Sequence, residues 1–218
     1  MGKPRSRLPF APEGWIFVLP VIILAALALL LQWYVVAIVA GALAAFLLNF
    51  FRDPARKGSP HHVDVLSPAD GTVIQIREIP DGEVWPGLTR QISIFMSVFD
   101  VHVNRAPITG RLIHYRYSPG KKIAAFAEKS SLENEQNLIV LEGEGIVVAL
   151  KQIAGLLARR IVFDAAEGDR VARGQRIGMI KFGSRVDLFL PAAATVRVRM
   201  KEKVKAGLTV IASMEESS

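Results

Sequence analysis

Gly183-Ser184 places a serine hydroxyl directly after a glycine, within the strand-like run Met179-Ile-Lys-Phe-Gly-Ser-Arg-Val-Asp-Leu-Phe-Leu-Pro191. A serine hydroxyl is a poor nucleophile unaided. To attack a carbonyl it needs a neighbouring base and a strained backbone. A preceding glycine permits backbone angles that other residues resist. Most Gly-Ser pairs are plain loop, but this one closely follows a tight turn in Gly168-Asp-Arg-Val-Ala-Arg-Gly-Gln-Arg-Ile-Gly178. Two further residues could move protons. Asp70 lies in Ser67-Pro-Ala-Asp-Gly71, where ordinary turn chemistry is the competing explanation. His102 lies in Phe99-Asp-Val-His-Val-Asn-Arg-Ala-Pro107, and histidine is the residue type whose ordinary pKa near neutrality suits acid–base work. His61-His62 read as solvated, His114 as structural, and no metal site is expected. The chain has no cysteine, which excludes disulfides, thiolate catalysis and thiolate zinc sites.

Elements must hold these residues. Residues 15–51 contain no Asp, Glu, Lys or Arg. A secretory signal has a far shorter apolar core. One straight helix of that length would reach roughly 55 Å, against a hydrocarbon core of about 30 Å. Two shorter helices fit better, with a break near Gln32-Trp33-Tyr34. Such a pair either spans twice or re-enters. Lys3, Arg5 and Arg7 precede the block, and Arg52, Arg56 and Lys57 follow it, while the turn is uncharged. Under the positive-inside rule both ends lie on the cytoplasmic face of the cell membrane. Residues 1–51 therefore read as a membrane anchor, 52–64 as a linker and 65–218 as the catalytic domain.

Beyond the anchor the pattern is β. Strands are expected at 72–79, 91–99, 108–117, 137–141, 146–153 and 156–163, with a short helix at 122–129. Turn signals separate them at Asp81-Gly82, Pro86-Gly87, Pro119-Gly120 and Glu142-Gly143. No long amphipathic helix intervenes, so a doubly wound parallel sheet is excluded. The fold class is mainly β (α+β): a helical hairpin, then a barrel-sandwich-like, mostly antiparallel domain.

The net charge of +7 is unevenly distributed. Residues 1–60 hold six Lys or Arg against two Asp or Glu, and the remainder holds 21 against 18. The basic character belongs largely to the membrane flanks, which points to anionic headgroups and away from nucleic acid. Arg197, Arg199, Lys201, Lys203 and Lys205 alternate with other residues. As one strand they would share a face, serving either as a charged edge or as a lipid-facing strip.

Taken in order, Asn49-Phe-Phe-Arg-Asp-Pro54, Ser67-Pro-Ala-Asp-Gly71, Phe99-Asp-Val-His-Val-Asn-Arg-Ala-Pro107, Glu133-Asn-Glu-Gln136 and Phe182-Gly-Ser-Arg-Val-Asp187 resemble phosphatidylserine decarboxylase. The likeness is to the short form of bacteria and archaea. It implies a lyase of phospholipid biosynthesis, made as a zymogen that cuts itself between Gly183 and Ser184. Ser184 Oγ would attack the Gly183 carbonyl carbon and turn the peptide into an ester. Elimination and loss of ammonia would then leave a pyruvoyl group at residue 184. The products would be 1–183 and 184–218, remaining together as a heterodimer. The pyruvoyl ketone would form a Schiff base with phosphatidylserine and release carbon dioxide and phosphatidylethanolamine. The resemblance further implies that Asp70 assists cleavage, acting through His102 or through water, and that His102 either supplies a proton to the decarboxylated carbon or helps the processing step. Arg105 stands where larger members carry a second histidine, so the processing base stays open. Asp100 and Glu135 receive no role.

Two rival readings use the same residues. A membrane-tethered lipoyl- or biotinyl-like carrier needs a lysine at its hairpin tip, where this chain has Gly-Ser-Arg. A Ser/Lys peptidase would act on other chains and stay intact.

Overall fold

The computed structural model describes residues 9–59, 61, 63–120, 134–155, 161–181 and 183–214. The chain divides into two compact units, Lys3–Ala55 and a second running over Arg56–Ser218.

The first unit is a helical hairpin. After a short 3-10 turn, α1 (Trp15–Leu30) and α2 (Tyr34–Phe50) pack against each other. The break falls at the uncharged residues where it was expected. Gln32 adopts a left-handed φ of 61°, which reverses the chain. Ala28, Ala40 and Ala44 are buried, as small residues are where apolar helices approach closely. Ile16, Leu30, Val35 and Ile38 are exposed, so the outer surface is apolar. The two ends are tied together. Ala11 N–H donates to Phe51 O at 2.7 Å and Asp53 N–H to Pro9 O at 2.8 Å, so the chain enters and leaves at one end. Residues Pro12–Leu30 form a helical stretch of 19 residues, with mean hydropathy 2.4, long and apolar enough to cross a membrane. The 17 residues of α2 are fewer.

The second unit contains β1 (Asp64–Leu66), β2 (Gly71–Glu78), β3 (Leu88–Met96), β4 (Val103–Arg105), β5 (Gly110–Ser118), β6 (Gln136–Gly143) and β7 (Ile146–Ala154). It continues with β8 (Ile161–Phe163), β9 (Arg170–Val171), β10 (Arg176–Ile180), β11 (Ser184–Pro191), β12 (Thr195–Val196), β13 (Lys203–Val204) and β14 (Val210–Ser213). Eight strands form a curled antiparallel sheet in the order β13-β2-β3-β11-β7-β6-β5-β9. Among the described residues, two three-stranded sheets, β1-β14-β12 and β4-β10-β8, accompany it. The main core takes Ile92, Ile94, Met96, Ile139, Leu141, Val148 and Leu150 from the large sheet, and Val65, Ile177, Ile180 and Ile211 from the smaller ones.

Two details depart from the sequence reading. The basic run at 197–205 is not one strand. Lys201 takes a φ of 67°, and its N–H donates to Val73 O at 2.8 Å, so the chain turns between β12 and β13. The five cations are nevertheless all exposed. Of the segment read as strand at 156–163, β8 is its described part; residues 156–160 and the helix expected at 122–129 lie outside the described residues.

Candidate active site

Ser184 opens β11, an interior strand, and pairs with Met96 of β3 on one side and Ala154 of β7 on the other. Side chains alternate along a strand. Val186, Leu188 and Leu190 enter the main core, and Ser184 shares their face. Phe189 enters a smaller core on the opposite face, shared by Arg185 and Asp187. The serine is therefore delivered to the core face of the sheet, and it is fully buried. Its Oγ lies 3.3 Å from Met96 Sδ. A thioether accepts a hydrogen bond weakly and cannot take the proton.

Gly183 has a φ of 53°, and a Cβ there would meet nothing within 4 Å. The left-handed backbone, and not lack of space, is what favours glycine at this position. The Gly183 carbonyl oxygen accepts a hydrogen bond from Gly155 N–H at 3.1 Å.

His102 is fully buried, immediately before β4. Its Nδ1 lies 2.9 Å from Asp100 O. A carbonyl can only accept, so Nδ1 carries hydrogen and a neutral ring keeps its lone pair on Nε2. Asp100 is itself held in a turn, accepting from Ser97 N–H through Oδ2 at 2.8 Å. Ile180 N–H donates to His102 O at 3.3 Å, which secures the histidine to β10, the strand leading toward Gly183. Asp70 is placed differently. Its carboxylate takes both arms of Arg56, with Nη2 to Oδ2 at 2.8 Å, and accepts from Ala206 N–H at 2.7 Å. Neither Ser184 nor His102 is among its partners. Arg105 donates to Gly174 O at 3.1 Å.

Sequence reasoning missed a chain of uncharged amides leading toward Ser184. Asn137 Nδ2 donates to Gln152 Oε1 at 2.8 Å, and Gln152 Nε2 donates to Asn104 Oδ1 at 2.6 Å. Asn104 Nδ2 reaches Met96 Sδ at 3.7 Å, the sulfur that also receives the serine. Asn134 Nδ2 caps Ala154 O at 2.7 Å, at the residue opposite Ser184. All four amides are buried. Satisfied networks of this kind lock side chains in place without adding charge. Asn104 and Asn134 lie inside sequence motifs, so position was the available signal; Gln152 and Asn137 carried none.

The opposite face of β11 is charged but paired. Arg185 Nε meets Asp187 Oδ1 at 2.6 Å, and Gln91 Nε2 donates to Asp187 Oδ2 at 2.9 Å. Lys151 stands opposite Asp187. Burial lowers its pKa, opposed by the charges of Asp187 and Glu83. Register puts Lys151 on the face away from Ser184, so this lysine cannot serve as the serine's base in a Ser/Lys peptidase.

Comparison with known proteins gives one family. The profile described as phosphatidylserine decarboxylase matches residues 43–212. A phosphatidylserine decarboxylase proenzyme of Magnetococcus marinus is 45% identical over 201 residues, covering 91% of this chain and 92% of the relative. One from Ralstonia nicotianae is 44% identical, with 94% and 95% covered. One from Cupriavidus pinatubonensis is 40% identical, with 99% of each chain covered.

Proposed function

The chain belongs to the phosphatidylserine decarboxylase family, and from that premise we propose which of its residues do the work. It converts phosphatidylserine to phosphatidylethanolamine and carbon dioxide, using a pyruvoyl group generated from its own backbone. We place it in the short form found in bacteria and archaea. We assign the cut to Gly183–Ser184, giving 1–183 and 184–218.

The observation that carries this assignment is the junction itself. A glycine with φ 53° is followed at once by a fully buried serine on an interior strand. The residues around it fit a pyruvoyl group. The position is fully buried, Met96 beside it and Asn104 beyond that sulfur are uncharged, and both edges of the strand are held by the sheet. A pyruvoyl group at residue 184, held between β3 and β7, would supply an electrophilic carbonyl for the substrate amine and a sink for the electron pair freed as carbon dioxide leaves.

The chain's own residues supply the rest. Ser184 Oγ is the attacking atom in maturation. β3 and β7 keep residue 184 fixed before and after the cut. His102 is assigned to take up a proton at Nε2 and pass it to the decarboxylated carbon, while Asp100 O holds the Nδ1–H in place. Asp70 is assigned to maturation, and the two-armed contact with Arg56 holds its carboxylate in place. Mass measurement tests the whole scheme. Active material is expected as two fragments, the 35-residue one reacting with hydrazines. Active protein consisting solely of the intact 23.9 kDa chain overturns it.

We place residues 1–51 as the anchor, with both flanks on the cytoplasmic face of the inner membrane. The exposed cations Arg197, Arg199, Lys201, Lys203 and Lys205 add an electrostatic hold on anionic headgroups. The anchor confines the enzyme to the surface where its substrate lies. Removing residues 1–50 should spare activity on dispersed short-chain phosphatidylserine and depress turnover of bilayer lipid. Equal rates on both substrates, compared with the full chain, would count against the anchoring role.

A further inference from the structure

Self-cleavage requires negative charge to gather on the Gly183 carbonyl oxygen, and a backbone group already points at that atom. Gly155 N–H donates to it at 3.1 Å. The bond extends the β7–β11 ladder one residue beyond the Ser184–Ala154 pair. In an antiparallel ladder, successive residues direct their N–H and C=O groups to opposite neighbours. Ala154 N–H turns toward Glu135 O, at 2.9 Å, so Gly155 N–H turns toward β11. The same alternation directs the main-chain groups of Ser184 at Met96 of β3. The scissile carbonyl oxygen therefore lies within the ladder, while the Ser184 side chain stands off the sheet on its core face. Attack from that face crosses the carbonyl plane, as addition to a carbonyl requires. Among the described residues, no second group donates to this oxygen.

We propose that the backbone N–H of Gly155 is the oxyanion donor for maturation. This rests on the reading that the chain is cut at Gly183–Ser184. In the step concerned, the Ser184 Oγ–Gly183 C bond forms and the carbonyl π pair moves onto oxygen. The Oγ proton passes to the nitrogen of residue 184. The C–N bond then breaks as the carbonyl re-forms, leaving an ester and a free amine. Charge on the oxygen rises and falls within this step. A donor fixed by the sheet binds the charged oxygen more strongly than the neutral one, and it needs no reorganisation.

Single-atom replacement of ladder donors in the full chain tests the assignment. Cell-free translation with an α-hydroxy acid replaces a chosen N–H by an ester oxygen. One chain carries glycolic acid at position 155. A second carries the hydroxy-acid analogue of isoleucine at position 153, whose N–H faces Arg185 in the same ladder. A third is Ser184→Ala. Conversion of the 23.9 kDa precursor into 1–183 and 184–218 is followed by mass. Melting is measured on each ester combined with Ser184→Ala. Loss of one oxyanion donor slows such a step by about 10²- to 10³-fold. That slowing is expected for the ester at 155, with a melt matching the ester at 153, which cleaves at the unmodified rate. Equal cleavage by the two ester chains, or slow cleavage at 155 with a lower melt than at 153, overturns the proposal. Cleavage of Ser184→Ala between 183 and 184 would instead sink the underlying reading, whatever the esters do.

Discussion

Ser184→Ala should remain a single chain of 23.9 kDa with no decarboxylase activity above background. Alanine fits the same buried position on β11, and the register with Met96 and Ala154 does not depend on the hydroxyl. The hydroxyl's described partner is a thioether, whose loss costs little packing. The precursor should therefore fold and melt much as before. Activity should nevertheless fall by about 10⁶-fold or more, because without a ketone the reaction has no electron sink. Circular dichroism, intact mass and a carbon dioxide release assay on one preparation separate these effects. Retained lipid decarboxylation in the alanine variant would refute the assignment of residue 184.

Replacing His102 and Asp70 should divide the pathway between them. His102→Gln keeps a hydrogen-bond donor of similar reach near the ring position but removes the acid–base group, and turnover of the mature enzyme should drop by about 10²- to 10⁴-fold. Fragments should still appear, since His102 is assigned to the proton delivered after decarboxylation. Asp70→Asn should act earlier, slowing the appearance of fragments. It also strips the charge that faces Arg56 in a buried pair. Breaking such a pair from one side costs about 3–5 kcal/mol, so a lowered melting temperature should accompany the maturation defect. Gel quantification of precursor and fragments over time, with turnover normalised to mature enzyme, resolves the two. A His102→Gln enzyme that matures and turns over normally would remove the histidine from the mechanism.

Much of the architecture could be read from patterns that depend on neighbours in sequence. The anchor was visible because 37 consecutive residues lack charge, and its turn because the apolar length exceeds one span. β2, β3, β5, β6 and β7 were visible because their apolar residues cluster between turn signals. Their order in the sheet was not, since β11 must reach back between β3 and β7 and nothing local announces that. The basic run misled as a strand because its alternation is regular, while a main-chain bond to Val73 bends it at Lys201. Within the site, Ser184, His102 and Asp70 were chosen from motifs, yet the partner of Asp70 was hidden. Arg56 lies in a segment that reads as polar linker, yet its side chain is buried against that carboxylate. The amides of Asn104, Asn137 and Gln152 escaped notice for a similar reason. A polar residue in a strand ordinarily faces water, and only tertiary packing turns these three inward.

The place of residue 184 within the large sheet affects how the finished protein can come apart. Under the proposed cut, the fragment from Ser184 onward would supply β11 and β13 to that sheet, and β12 and β14 to one of the smaller ones. Scission there would free a chain end but release no strand, because β11 is hydrogen-bonded to β3 on one flank and to β7 on the other. The two pieces are interwoven, and dissociation demands dismantling two sheets at once. Denaturation converts one folded particle into two solutes, so recovery becomes second order in protein and must reinsert a middle strand. Maturation thus gives the enzyme a memory of having been one chain, and dilution after unfolding erases it.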